Sequence, residues 1–223
     1  MAAFIVIPTH MVDQLDQLRL VQWLSPAFPI GGFAYSQGLE AAIHDGFILD
    51  GDSLALWLQS VLRFGSGRMD AIFVAHALDP HTDIAALADL ARAYAGSAER
   101  LNEMTEQGRA FGVTIAALLK APQPPLPYAV ALGYAARNLN LKTSVVLGLY
   151  LQAFAAQLTA AAVKFVPLGQ TVGQQILTNL GPDLVQLAAE YAVTPLSELG
   201  SASFGADLAQ MRHETMDVRI FRS

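Results

Sequence analysis

Thr143-Ser-Val-Val-Leu-Gly-Leu-Tyr-Leu-Gln-Ala-Phe-Ala-Ala-Gln-Leu-Thr-Ala-Ala-Ala-Val163 is the stretch on which the reading of this chain turns. It carries no charge and, as a helix, is long enough to cross about 30 Å of hydrocarbon. Gln152, Gln157, Thr159 and Ser144 oppose that reading. Two amides are costly in hydrocarbon, and no basic cluster flanks the stretch to fix an orientation. It is therefore read as the buried helix of a soluble bundle. From Thr143 to Pro182 the single charged residue is Lys164, which makes this region the expected centre of the core.

Working outward, Ala and Leu dominate and apolar residues recur at three- and four-residue spacing; alternating strands bounded by Asn-Gly or Asp-Gly turns are missing. Leu15, Leu18, Val21 and Leu24 line one face of a first helix that stops at Ser25-Pro26, and Leu39, Ala42, Ile43 and Phe47 mark a second. Asp52 is read as the N-cap of a third helix, ended by Gly65 and Gly67. Helices over Ala71–Leu78 and Ile84–Tyr94 follow, and Ser97 with Glu99 starts a longer one running to about Lys120. Four prolines between Ala121 and Pro127 make a linker or rigid corner, and Tyr128 begins a short helix. Gly181-Pro182 punctuates the apolar region, with one more helix over Asp183–Tyr191. The expectation is an all-α, single-domain helical bundle of about ten helices over residues 13–204. A flexible N-terminus, 1–12, precedes it, and a charged C-terminal tail, 205–223, follows.

The 223 residues are 53% hydrophobic and only 14% charged, against roughly 25% in an ordinary soluble domain. Apolar surface is therefore expected to be covered by a partner, a second copy or a bilayer. A net charge of −6 and only three lysines, Lys120, Lys142 and Lys164, argue against a nucleic-acid partner. Zero Cys excludes thiolate metal sites, Cys nucleophiles and a disulfide framework, and fits a cytoplasmic address. The start, MAAFIVIPTHM, lacks a basic segment and a long enough apolar run for a signal peptide.

Catalytic machinery is not visible. Ala34-Tyr-Ser-Gln-Gly38 resembles a nucleophile elbow, the basis of an alternative serine hydrolase reading through Ser36, but no strand precedes it. Ser36 reads better as an N-cap with Glu40 just inside the helix. His76 and His81 are five apart with Pro80 between them, and His213 and Glu214 point to different faces of a solvated helix end. No stable zinc or nickel site and no nucleotide cradle is expected, so no metal and no cofactor is assigned. Lys164, isolated among apolar neighbours, either snorkels to water or presents its charge to a partner.

Three ordered stretches resemble one family, the urease accessory protein UreF. They are Leu24-Ser-Pro-Ala-Phe-Pro-Ile-Gly-Gly-Phe-Ala-Tyr-Ser-Gln-Gly-Leu-Glu40, Val163-Lys-Phe-Val-Pro-Leu-Gly-Gln170 and Met211-Arg-His-Glu-Thr-Met-Asp-Val-Arg-Ile-Phe-Arg-Ser223. The resemblance implies a non-catalytic, dimeric assembly factor that joins UreD (UreH) and the GTPase UreG on the urease apoprotein while the nickel site is built, coupling GTP turnover to nickel transfer. Carried over by position, it marks Tyr35, Ser36, Glu40, Lys164, Gln170, Arg212, His213, Glu214, Arg219, Phe221 and Arg222 as partner-binding residues. On the same footing the tail is expected to be mobile in the free protein and ordered against UreD.

Overall fold

A computed structural model describes residues 9–223. The helices are α1 (Thr9–Leu24), α2 (Leu39–His44), α3 (Gly51–Phe64), α4 (Ser66–Leu78), α5 (Ile84–Ala93), α6 (Ala98–Leu119), α7 (Tyr128–Ala136), α8 (Thr143–Phe165), α9 (Gly169–Tyr191) and α10 (Phe204–His213). Short 3-10 turns lie at Gly32–Ala34 and Leu196–Glu198, and no strand occurs among the described residues. Of the expected flexible segment 1–12, residues 1–8 lie outside the described residues, and from Thr9 the chain is helical.

α8 is the spine. Val146, Leu147, Tyr150, Leu151, Phe154, Ala155 and Leu158 are buried along it, and it packs along α9 and against α1, α2, α3 and α4. It is the one helix among the described residues long and apolar enough to cross a membrane, and more than half of its most apolar window is enclosed by the other helices. One continuous hydrophobic core joins all ten helices except at their outer faces.

Local chemistry sets most boundaries as the sequence predicts. Ser97 caps α6 by accepting from Arg100 N at 3.0 Å, and Asp83 caps α5. The third helix is capped by Asp50 rather than Asp52. The Asp50 carboxylate accepts from Ser53 N while Ser53 Oγ accepts from Asp50 N, a reciprocal pair that fixes the start two residues earlier. Gly65 ends α3 and at once precedes α4, so Gly67 is helical. The proline-rich segment is a corner, not a linker. It folds back so closely on α6 that a Cβ on Gly108 would sit 2.0 Å from the Leu126 carbonyl oxygen.

Three further expectations fail. α9 runs unbroken through Pro182. Pro182 is on the solvent face, where the Thr178 carbonyl it leaves without a partner can bond water, while Leu177, Leu180, Leu184 and Leu187 form one buried stripe on both sides of it. In α1 the apolar face is the wrong one: Leu15, Leu18 and Val21 are exposed, and Leu20 and Trp23 enter the core. Buried Asp16 decides the rotation, because its carboxylate accepts from Asn140 N at 2.8 Å and must face inward. Phe47 likewise lies beyond α2, exposed.

Candidate functional site

The three motif stretches meet at one end of the bundle. Gly38 starts α2 with φ +79°, and a Cβ there would lie 2.6 Å from Gln210 N, so glycine lets α2 approach the backbone of α10. That approach places Glu40, on α2, beside His213, at the end of α10. His213 is fully enclosed, with Nε2 3.0 Å from Glu40 Oε2 and Nδ1 2.7 Å from Glu99 Oε2. Arg219 donates to the other Glu99 oxygen, and Glu99 N donates to Glu214 Oε1 at 3.1 Å.

Glu40 also holds the tail. Its carboxylate accepts from Ile220 N and from Phe221 N, each at 2.9 Å. Burial opposes its charge, but the His213 ring and the Phe221 and Ile220 amides outweigh that and keep its pKa below the ordinary 4.5. The backbone continues the docking: Arg222 N donates to the Ala34 carbonyl at 2.8 Å and Ser36 N to the Ser223 carbonyl at 2.7 Å. Ser36 Oγ donates to the same Ser223 carbonyl. Ser36 is thus a tail anchor, with Gly38 in the cap position expected of it. Ser36 Oγ also accepts from Glu40 N at 3.3 Å, and both His213 nitrogens are bonded to carboxylates rather than to Ser36.

Phe221 is buried against Phe165, ring centroids 5.3 Å apart, and the Lys164 ammonium sits 5.8 Å from the Phe221 ring centre. The expected mobile tail is instead folded onto its own chain, and His213 is not at a solvated helix end. Tyr35, Ser36, Glu40, His213 and Phe221 are interior, and Glu214 is half-buried. Lys164, Gln170, Arg212, Arg219 and Arg222 are exposed, Arg212 pairing with Asp45 at 3.0 Å. The two nitrogens of His213 face opposite ways, so Glu40, His213 and Glu99 do not converge on a point, and no metal-holding cluster occurs among the described residues.

Beneath the tail lies a polar cluster that the motifs do not announce. Arg100 donates to Asp70 and, at 3.1 Å, lies against Glu103; Tyr150 donates to Asp70 at 2.8 Å. Gln37 donates to Glu103 at 3.1 Å and accepts from Ser66, and Ser223 Oγ donates to Glu103 at 3.4 Å, linking tail to cluster. Burial raises the pKa of Glu103, with Arg100 opposing it. Burial also works against the Arg100 charge, and Asp70 with Glu103 overcome it. A sequence signal existed: Arg100, Glu103 and Gln107 share a helix face with Met104, Phe111 and Ile115, where only a satisfied network tolerates charge.

The UreF family model matches residues 48–181. The chain is 58% identical over 206 residues to a protein of Cereibacter sphaeroides named urease accessory protein UreF, covering 92% of this chain and 98% of that one. Proteins of the same name from Jannaschia and Paracoccus denitrificans are each 48% identical, the latter over 96% of this chain and all of its own length. The chain belongs to the UreF family. The UreF family model covers the central helices, whereas the Glu40 and His213 stretches lie outside it on either side.

On the outer side of this site α10 turns Ala206, Ala209, Gln210 and His213 inward and leaves Phe204, Leu208 and Met211 out, at spacings of four and three. Val218 and Ile220 of the tail are exposed beside them in sequence.

Proposed function

We propose that this chain is a non-catalytic assembly factor of urease maturation. In this reading it bridges UreD (UreH) and the GTPase UreG on the urease apoprotein and couples GTP hydrolysis to nickel delivery in the cytoplasm. The observation that carries the proposal is the apolar face of α10 and the tail, Phe204, Leu208, Met211, Val218 and Ile220, among the charges of Arg212, Arg219 and Arg222. An apolar centre with a charged margin is the anatomy of a protein interface. UreD docks on this face, and Ser36, Glu40, His213, Glu214 and Phe221 serve it by holding the tail in place, with Tyr35 buried next to Ser36.

Lys164 and Gln170, exposed at the junction of α8 and α9, face UreG or the route of the nickel cargo. The exposed stripe Met11, Leu15, Leu18 and Val21 of α1 suits a second copy in a homodimer. Size-exclusion chromatography with light scattering tests the whole: a dimer that binds UreD, and takes up UreG with GTP and nickel only when UreD is present, is expected. A monomer that ignores both partners overturns the proposal. Lys164→Ala is expected to slow urease activation while leaving the fold and UreD binding intact.

A further inference from the structure

His213 is fully enclosed, and each nitrogen of its ring lies within hydrogen-bond distance of a carboxylate, Nε2 of Glu40 on α2 and Nδ1 of Glu99 in the first turn of α6. A neutral imidazole carries a single N–H, so it donates to one of the two and turns a lone pair toward the other. An imidazolium donates to both. Moving a proton to a carboxylate instead is opposed on both sides, because Glu40 already accepts from Ile220 N and Phe221 N, and Glu99 accepts from Arg219. The charges agree. With the ring positive, Glu40 and Glu99 are balanced by His213 and Arg219, whereas a neutral ring leaves one carboxylate without a counter-charge. Of the other charged groups nearby, Arg212 is turned out to Asp45, and Glu214 accepts from Glu99 N.

We propose that His213 holds the tail as an imidazolium, and that removing its second proton loosens the tail. Both of its partners are tail tethers. With one ring nitrogen bare, a lone pair faces a carboxylate oxygen at hydrogen-bond distance, and the repulsion is relieved when that carboxylate turns away. If Glu40 turns, the Ile220 and Phe221 amides lose their acceptor; if Glu99 turns, Arg219 loses its own. The folded-back tail therefore binds one proton more than the loosened one. Raising pH favours loosening, by at most about tenfold per pH unit for a single proton. The stretch that loosens carries Val218 and Ile220, so this part of the exposed apolar face answers to proton concentration.

Two measurements on the full chain test this. Nitrogen-15 NMR of histidine-labelled protein at about pH 7.5, with the exposed His44 and His81 as internal references, is expected to show both His213 nitrogens protonated. One bare nitrogen there overturns the proposal. Hydrogen exchange at the Arg222 and Ser36 amides, corrected for the intrinsic rate, then follows the tail. Between about pH 7 and about pH 9 their protection is expected to fall at least about fivefold, the worth of one ordinary hydrogen bond, while amides inside α8 keep theirs. The chain has no Cys, so no thiol titrates in this window. Glu99→Gln is the discriminating variant. Its amide donates to Nδ1 and lets a neutral ring satisfy both neighbours, so it is expected to show one bare nitrogen and protection that no longer depends on pH over the same range. Unchanged wild-type protection between the two pH values, or an equal fall in Glu99→Gln, overturns the switch.

Discussion

Replacing Glu40 with Ala should release the tail without unfolding the bundle. The two tail amides that Glu40 accepts are hydrogen bonds to a charged group, worth about 1.5–3 kcal/mol each, so together about 3–6 kcal/mol. The right reporters are amides that do not touch Glu40 itself. Arg222 N bonds Ala34 and Ser36 N bonds Ser223, so both lose protection only if the whole tail leaves. At about 1.4 kcal/mol per tenfold, their hydrogen-exchange protection should fall by roughly 10² to 10⁴. Amides inside α8 should keep theirs. The dependence on acid follows from the same group. A carboxylate whose pKa is lowered by folding stabilises above its unfolded value of 4.5 and loses that contribution as pH falls through its folded value. Protection at Arg222 and Ser36 should therefore decline below about pH 4.5 in the wild type, and Glu40→Gln should flatten the decline. Equal protection in wild type and Glu40→Ala would refute the claim that this carboxylate holds the tail.

Gly108→Ala places a Cβ against the Leu126 carbonyl and the Tyr128 amide, backbone that cannot swing aside, and should destabilise by about 3 kcal/mol or more in urea unfolding. Pro182→Ala should stabilise: about 3 kcal/mol of helix penalty is removed and about 1 is returned through the looser unfolded chain, so Tm should rise by about 4–8 °C in calorimetry. Arg219→Ala removes a half-exposed partner of Glu99 and should cost about 1 kcal/mol or less, a shift of about 2–4 °C.

The architecture was legible where a local signal decides it. Ser97 marks the start of α6, and the uncharged run from Thr143 names the core helix. Reading failed where a tertiary contact outvotes the local one. Asp16 rotates α1 because of Asn140, 124 residues away, and the buried stripe of α9 carries the helix past Pro182. The site was legible only as three separate motifs. That Ser36 meets Ser223 across 187 residues, or that His213 sits between carboxylates from α2 and α6, has no trace in periodicity. The nearest available clue was compositional: Arg100 and Glu103 on an otherwise apolar helix face had to be answering something.

The long span between the two halves of the site also orders events in time. Residue 40 is made well before residue 220, and at about 5–20 residues per second that interval is roughly ten to forty seconds of synthesis. Throughout it Glu40 has no Ile220 or Phe221 amide to accept, and Ser36 has no Ser223. The face carrying Val218, Ile220 and Arg222 therefore takes shape only after the core helices have been translated. A partner that reads this face meets only chains in which Glu40 and the Ile220 and Phe221 amides are all present, so docking follows translation of both halves of the site.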